Sequence, residues 1–151
     1  DVDLYELIEN AALKKIKEFH FKIVGYDIDP VTLKKANENI VAANLSEFVT
    51  LEHCDFFETE KGRDRQLFLV FNPPYDERIS IDNVERFYAN IGNTLKRSYP
   101  DSQAWMITSN LEALKYVGLR PSKKIKLFNG KLESKLVQYE MYSGSKKAKK
   151  Q

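Results

Sequence analysis

The sequence predicts an α/β protein whose sheet is mostly parallel and ends in an antiparallel hairpin. Three observations carry this. Short apolar runs alternate with stretches whose apolar residues recur at helical spacing. Capping and turn residues such as Asp29-Pro30 and Asn72-Pro73-Pro74 fall where one element gives way to the next. Near the C-terminus two strand-like runs flank Asn129-Gly130, the strongest two-residue hairpin signal. The predicted order is α-β-α-β-β-α-β-α-β-β.

Leu4, Leu7, Ile8, Ala11, Ile16 and Phe19 fall near one helical face, with Asp3 placed to cap and Glu6 three residues on. Phe21 to Asp27 reads as a strand. Asp29 then stands as N-cap with Pro30 at the first helical position. The core face of that helix is Leu33, Ala36, Ile40 and Ala43, and Asn44 can end it in the left-handed region. Val49 to Cys54 is the next strand, followed by a charged loop, Glu58 to Arg65. Leu67 to Phe71 is a strand that runs into Asn72-Pro73-Pro74-Tyr75. Val84, Phe87, Tyr88, Ile91 and Leu95 form a helical stripe. Ala104 to Thr108 is an apolar strand; Ser109 and Glu112 then give a capping-box signature for a short helix ending near Gly118. Lys124 to Phe128 and Leu136 to Met141 are the hairpin arms.

The chain has 151 residues, the length of one domain. With 42% hydrophobic and 30% charged residues and no apolar stretch of transmembrane length, it fits a soluble globular protein with no membrane partner. The single Cys54 excludes an internal disulfide and fits a reducing, cytoplasmic setting. Two histidines and one cysteine offer no metal-site spacing, so no metal is expected; His53 and Cys54 read as packing residues of a strand. No signal peptide is present, and position 1 is not Met, which reads as a fragment. Charge is unevenly placed. From residue 120 to the end, ten Lys/Arg stand against two Asp/Glu, whereas the remaining residues carry 14 basic and 20 acidic side chains. A basic end on an acidic domain suits a polyanionic partner; for Ser145 to Lys150 a disordered, solvated tail is an equal reading. Residues 1–142 are expected to form the domain and 143–151 the tail.

Asn72-Pro73-Pro74-Tyr75 is the most informative motif. Loops at the carboxyl ends of strands carry ligand sites in open α/β sheets. Two prolines fix φ and remove two donors, so the loop offers mainly carbonyl acceptors. Asn72 adds a side-chain acceptor and Tyr75 a flat aromatic face. Such a cluster suits the exocyclic amino group of a planar base. Two further features fall at strand ends. Asp27 can accept both ribose hydroxyls of a nucleoside cofactor, with Ile28 packing on its base. Asp55 can accept from an adenine amino group, with Phe56 packing nearby. Asp29, before Pro30, reads as a cap only.

On these residues the chain resembles the class I S-adenosylmethionine-dependent methyltransferases, and more narrowly the THUMP-associated family that makes N2-methylguanosine in large-subunit ribosomal RNA. Members are often labelled N6-adenine-specific DNA methylases. The matching stretches are Gly25 to Pro30, Ala36 with Asn39, Asp55-Phe56, Asn72 to Arg78, Thr108-Ser109 and Leu127 to Glu133. The resemblance implies a Rossmann-like sheet and S-adenosylmethionine as cofactor. It implies Asn72, Pro73, Pro74 and Tyr75 as catalytic residues, and Asp27, Ile28, Asp55 and Phe56 as cofactor-binding residues. It also implies Glu77 and Arg78 as substrate-binding residues and RNA, ribosomal RNA in particular, as partner. Arg78 has a second reading as the salt-bridge partner of Glu77. The sequence departs from the family in three places. It has no Gly-x-Gly, Asp76 stands where the family has glycine, and Asn44 does likewise. By this resemblance the first strand, the glycine-rich cofactor loop and an upstream RNA-binding module are missing. The expected consequences are weak cofactor binding by the chain alone and self-association through exposed strand edges.

An aryl amine is a poor nucleophile because its lone pair is delocalised into the ring. The Asn72 side-chain oxygen and the Pro73 carbonyl can accept its N–H bonds and hold the lone pair toward a sulfonium methyl. The target base leaves its stack and lies against Tyr75. Two rivals stand beside guanine N2 of RNA: DNA adenine N6 or a protein glutamine as the amine, and a fragment that binds nucleic acid without catalysis.

Overall fold

The computed structural model describes residues 2–62, 66–74 and 81–143. The described residues hold the six predicted strands and three of the four predicted helices as α-helices, in two compact units, Asp1–Phe56 and Phe57–Gln151. The construction is α/β, with a separate sheet in each unit, a parallel pair in both and the antiparallel hairpin at the C-terminal end.

In the first unit, β1 (Ile23–Asp27) pairs in parallel with β2 (Val49–His53), Ile23 opposite Val49 and Asp27 opposite His53. The crossover between them is helix α2 (Pro30–Ala42), which packs on both strands. Asp29 caps it as predicted: its carboxylate accepts from Val31 N at 3.0 Å, Thr32 N at 3.2 Å and Thr32 Oγ1 at 2.7 Å. Leu33, Ala36 and Ile40 are half-buried, as a strand-facing stripe should be, whereas Ala43 is exposed. Asn44 has φ 56°, the left-handed position expected of it.

Helix α1 (Val2–Leu13) is shorter than its apolar stripe. Ile16 and Phe19 lie beyond it, and Phe19 instead meets Phe21 and Phe48 edge-on, at 5.7 and 5.8 Å between ring centroids. Leu4, Leu7 and Ile8 are 55–67% exposed, so the stripe buries nothing among the described residues. Apolar periodicity identified the helix but not a partner for it.

In the second unit, a four-stranded sheet has the order β3-β4-β6-β5, with β3 Phe68–Phe71, β4 Gln103–Thr108, β5 Lys123–Asn129 and β6 Leu132–Glu140. β3 and β4 are parallel, and β6 is antiparallel to both β4 and β5. Helix α3 (Ile81–Ser98) covers one face. Its Val84, Tyr88, Ile91 and Leu95 are buried, as are Ala104 and Met106 of β4 and Val137 and Tyr139 of β6. These strand residues share a face because Met106 stands opposite Val137 and Ala104 opposite Tyr139. Phe87, predicted as core, is half-buried and packs edge-on against Phe57 at 5.4 Å. Phe68 and Val70 alternate onto the other face of β3 and are 68% and 79% exposed.

Two local predictions shift. The element after β4 is a 3₁₀ helix, Ala113–Val117, and Glu112 makes no side-chain cap bond. Asn110 does that work instead, its Oδ1 accepting from Ala113 N at 3.0 Å. The hairpin turns at Gly130-Lys131 rather than Asn129-Gly130, because Asn129 pairs with Leu132. Gly130 has φ 61°, which suits glycine at the first central position of a two-residue loop. The second arm therefore begins at Leu132, and Glu133, Ser134 and Lys135 are strand residues.

Candidate functional site

The predicted cofactor residues gather at the carboxyl end of the paired strands of the first unit. Asp27 is the last residue of β1 and is half-buried. Its Oδ1 accepts from Asp29 N at 2.8 Å, and its carbonyl accepts from Cys54 N at 3.2 Å. A carboxylate has about four acceptor sites, so one local bond leaves it able to accept from hydroxyls. Ile28, next along, is 64% exposed, an apolar side chain at a strand end. Asp55 and Phe56 follow β2 by two and three residues and are half-buried; Phe56 opens the 3₁₀ turn Phe56–Glu58. Parallel pairing of β1 and β2 is what brings these four positions to one end of one small sheet.

His53 does more than pack. It is exposed, and its Nε2 lies 2.8 Å from the Ile28 carbonyl, a bond in which the ring nitrogen donates. It ties the end of β2 to the backbone beside Asp27. The sequence reads as a strand running on to Cys54 with His53 as a packing residue, whereas β2 ends at His53. Asp29 is held below the ordinary carboxylate range, first by the Thr32 hydroxyl and then by the Val31 amide. Both bonds favour its charged form, which suits a helix N-terminus.

The acceptor loop belongs to the second unit. β3 ends at Phe71, and Asn72 is exposed, Pro73 buried and Pro74 exposed. A buried proline anchors the loop, while the side chains on either side of it face outward. Tyr75, Glu77 and Arg78 lie outside the described residues.

The neighbouring strand end is fixed by hydrogen bonds that the sequence did not announce. Thr108 ends β4 two residues beyond Met106, the partner of Phe71. It is fully buried, its hydroxyl 2.7 Å from Tyr88 OH, and it accepts from Asn110 N at 3.1 Å. The network couples α3, β4 and the cap of the following 3₁₀ helix at the end of the sheet that carries Asn72. Pro74 also borders a shallow depression of about 360 Å³ with Asn83, Arg86, Phe87 and Asn90 of α3. The depression is open and its lining is mostly apolar. The readable signal was Asn83, Arg86 and Asn90 at three- and four-residue spacing on the flank of the apolar stripe beside Phe87. A larger depression, of about 480 Å³, is lined by Lys61, Asp101, Gln103 and Glu140. It lies at the amino end of β4, away from the loop, and contains none of the predicted residues.

No group of three His, Cys, Asp or Glu among the described residues is arranged to hold a metal ion. No helix among them is long and apolar enough to cross a membrane.

Residues 4–138 match the family model of the RMKL-like methyltransferase domain. The chain is similar to the ribosomal RNA large subunit methyltransferase K/L of Cellvibrio japonicus, with 34% identity over 124 residues. That match takes in 80% of this chain and 16% of the relative, so the chain spans about one-sixth of the relative's length. Among solved structures it is similar to a possible methylase from Clostridium difficile 630, with 30% identity and a TM-score of 0.80 over 97% of this chain and 39% of that one. It also shares the fold of SMU.472 complexed with SAH, at 24% identity and a TM-score of 0.81, over 96% of this chain and 38% of that one.

Proposed function

The chain belongs to the RMKL-like methyltransferase domain family, and from that membership we propose that it serves methyl transfer from S-adenosylmethionine to an exocyclic amine of RNA. The amine we assign is guanine N2 in large-subunit ribosomal RNA. The observation that carries this is the Asn72-Pro73-Pro74 loop at the carboxyl end of β3, with Pro73 buried and Asn72 facing outward. The relatives named as ribosomal RNA methyltransferases support the RNA, and the SAH bound to a protein of the same fold supports the cofactor. Glu77-Arg78 and the Asn129 to Glu133 run, which resemble the guanine-N2 family, support the amine.

The residues at the end of β1 and β2 fit the cofactor's chemistry. Asp27 accepts from the ribose hydroxyls, Ile28 and Phe56 pack on the adenine, and Asp55 accepts from its amino group. When bound, the cofactor supplies an electrophilic methyl on a sulfonium. The chain's own part is to orient the nucleophile. Asn72 Oδ1 and the Pro73 carbonyl accept the two N–H bonds of the amine and aim its lone pair at the methyl carbon. The new N–C bond takes that lone pair, and the electrons of the broken S–C bond return to sulfur. The methylated nitrogen, now cationic, is acidic and loses its proton to water, so no strong base is needed beforehand. Tyr75 stacks on the extruded base and Glu77 and Arg78 contact the substrate.

Asn72→Ala tests the assignment. In the complete enzyme, loss of one transition-state acceptor lowers single-turnover methyl transfer by about a hundredfold or more while cofactor affinity holds. Near-normal turnover of the variant would sink it. Nucleoside analysis of the product separates N2-methylguanosine from N6-methyladenosine.

A further inference from the structure

The β5–β6 hairpin is strongly basic. Residues 120–135 hold Arg120, Lys123, Lys124, Lys126, Lys131 and Lys135 against one acid, Glu133. The register sorts them. Lys124, Lys126 and Phe128 alternate onto one face of β5, which is the edge strand of the four-stranded sheet. Lys126 stands directly opposite Lys135 of β6. Like charges facing each other across an antiparallel pair weaken the ladder. A local rule broken with no structural gain is where function is to be looked for. Glu133 offsets one of the two charges, its carboxylate 2.8 Å from Lys126 Nζ. The same ammonium lies 5.1 Å from the centroid of the Phe128 ring, and Phe128 is 63% exposed.

We propose that this face of the hairpin binds single-stranded RNA, with Lys124, Lys126 and Lys135 meeting phosphates and Phe128 stacking on an unpaired base. Residues two apart on a strand are spaced by about 6.8 Å, a distance comparable to that between successive phosphates of an extended strand. A cationic track interleaved with an exposed aromatic ring is the chemistry of strand binding without sequence readout. An exposed ring has no use for the stacked bases of a duplex, which is why the single strand is the occupant. The choice of RNA among polyanions rests on the function proposed above; the surface itself rests on register, charge and exposure.

The test is fluorescence anisotropy of the intact protein with a labelled single-stranded oligouridylate across a salt series, without any methyl donor. Lys124→Ala/Lys126→Ala should weaken binding at least tenfold and reduce the slope of log K against log salt by about 1.4, the value for two lost phosphate contacts on a single strand. Phe128→Ala should weaken the single-stranded probe by about 5- to 150-fold, the range for one lost stacking contact, and leave duplex RNA unchanged. Glu133→Gln should tighten binding. If the alanine pair proves unfolded by circular dichroism, Lys124→Gln/Lys126→Gln keeps the aliphatic stems and should show the same slope. The proposal is overturned if the hairpin variants bind as the parent does, or if Lys14→Ala/Lys15→Ala on the first unit weakens binding equally. Tighter binding to phosphatidylserine vesicles than to RNA would also overturn it. Because no methyl donor is present, failure here leaves the methyl-transfer reading standing, and normal turnover of the Asn72 variant would leave this surface standing.

Discussion

Replacing Gly92 by alanine sets two effects of opposite sign against each other. In an exposed helix interior alanine is favoured over glycine by about 0.8–1.0 kcal/mol. Gly92, however, is buried within α3. A Cβ there would lie 1.7 Å from the Val117 carbonyl oxygen and 2.8 Å from its carbonyl carbon. Both are backbone atoms at the end of the 3₁₀ helix, where Ala113 and Val117 are each 1% exposed, so no side chain can swing away. A carbon–oxygen contact settles near 3.4 Å, so α3 and the 3₁₀ helix would have to part by roughly 1.7 Å. A gap of even 0.5–1 Å forfeits about a quarter to a half of each contact's attraction. Overpacking of this kind costs about 1–3 kcal/mol and occasionally more, and the upper end applies here. Set against the propensity gain, the expected net loss is about 2 kcal/mol or more. Urea unfolding followed by the fluorescence of Trp105, the only tryptophan and a residue of β4 in the same unit, measures it. The midpoint should fall with little change in slope. An equal or higher midpoint would refute the claim that this close approach is fixed by the packing.

Three further outcomes follow from the structure. Thr108→Val deprives the Tyr88 hydroxyl and the Asn110 amide of a buried partner, and should cost about 1–3 kcal/mol in the same unfolding assay; an unchanged midpoint would remove the network from the stability of the unit. Asp27→Ala in the complete enzyme should weaken cofactor binding before it affects anything else, since charge-assisted bonds contribute about 1.5–3 kcal/mol each; calorimetry on that enzyme showing unchanged affinity would take Asp27 out of the site. Burial first, and the neighbouring Tyr88 second, push the Tyr139 phenol up to about 12 from an ordinary 10.0. The folded state thus resists ionisation more than the unfolded chain does, so the stability involved is whole below pH 10.0 and is lost as pH rises toward about 12. Tyr139→Phe should flatten that alkaline loss in denaturation at stepped pH, and an identical profile would assign it to other groups.

What could be read in the chain was local chemistry with a short range. Asp29-Pro30 specified its own helix start, and three hydrogen bonds to the Asp29 side chain bear that out. The stripe on α3 named five residues, of which four are buried and Phe87 half-buried, because helical periodicity and burial largely coincide when one face is packed. The same logic failed on α1, where periodicity is present and burial is not. The placement of Asp27, Ile28, Asp55 and Phe56 at one end of β1 and β2 was legible because parallel strands joined by a helix put successive carboxyl ends side by side. The Thr108–Tyr88 bond was not, since a buried hydroxyl pair separated by twenty residues leaves no periodic trace. Nor was the cap at Asn110: Ser109 and Glu112 have the right spacing for a capping box, but the chain takes its turn one residue later.

The placement of the two-residue loop decides the charge pattern of the hairpin. Alternation guards a strand only against slips of one residue, which would turn apolar side chains to the wrong face. A slip of two residues preserves every face and displaces β5 by about 6.8 Å along β6. Closed at Asn129-Gly130, the hairpin would take that second register and set Lys126 squarely against Glu133, a neutral rung. Closed at Gly130-Lys131, it sets Lys126 against Lys135. The loop position thus separates a ribbon in which Lys126 faces an acid from one in which it faces a lysine and meets Glu133 only diagonally. The choice of two turn residues is therefore an electrostatic setting, and shifting the loop by one position changes which charges face each other on that edge without changing its composition.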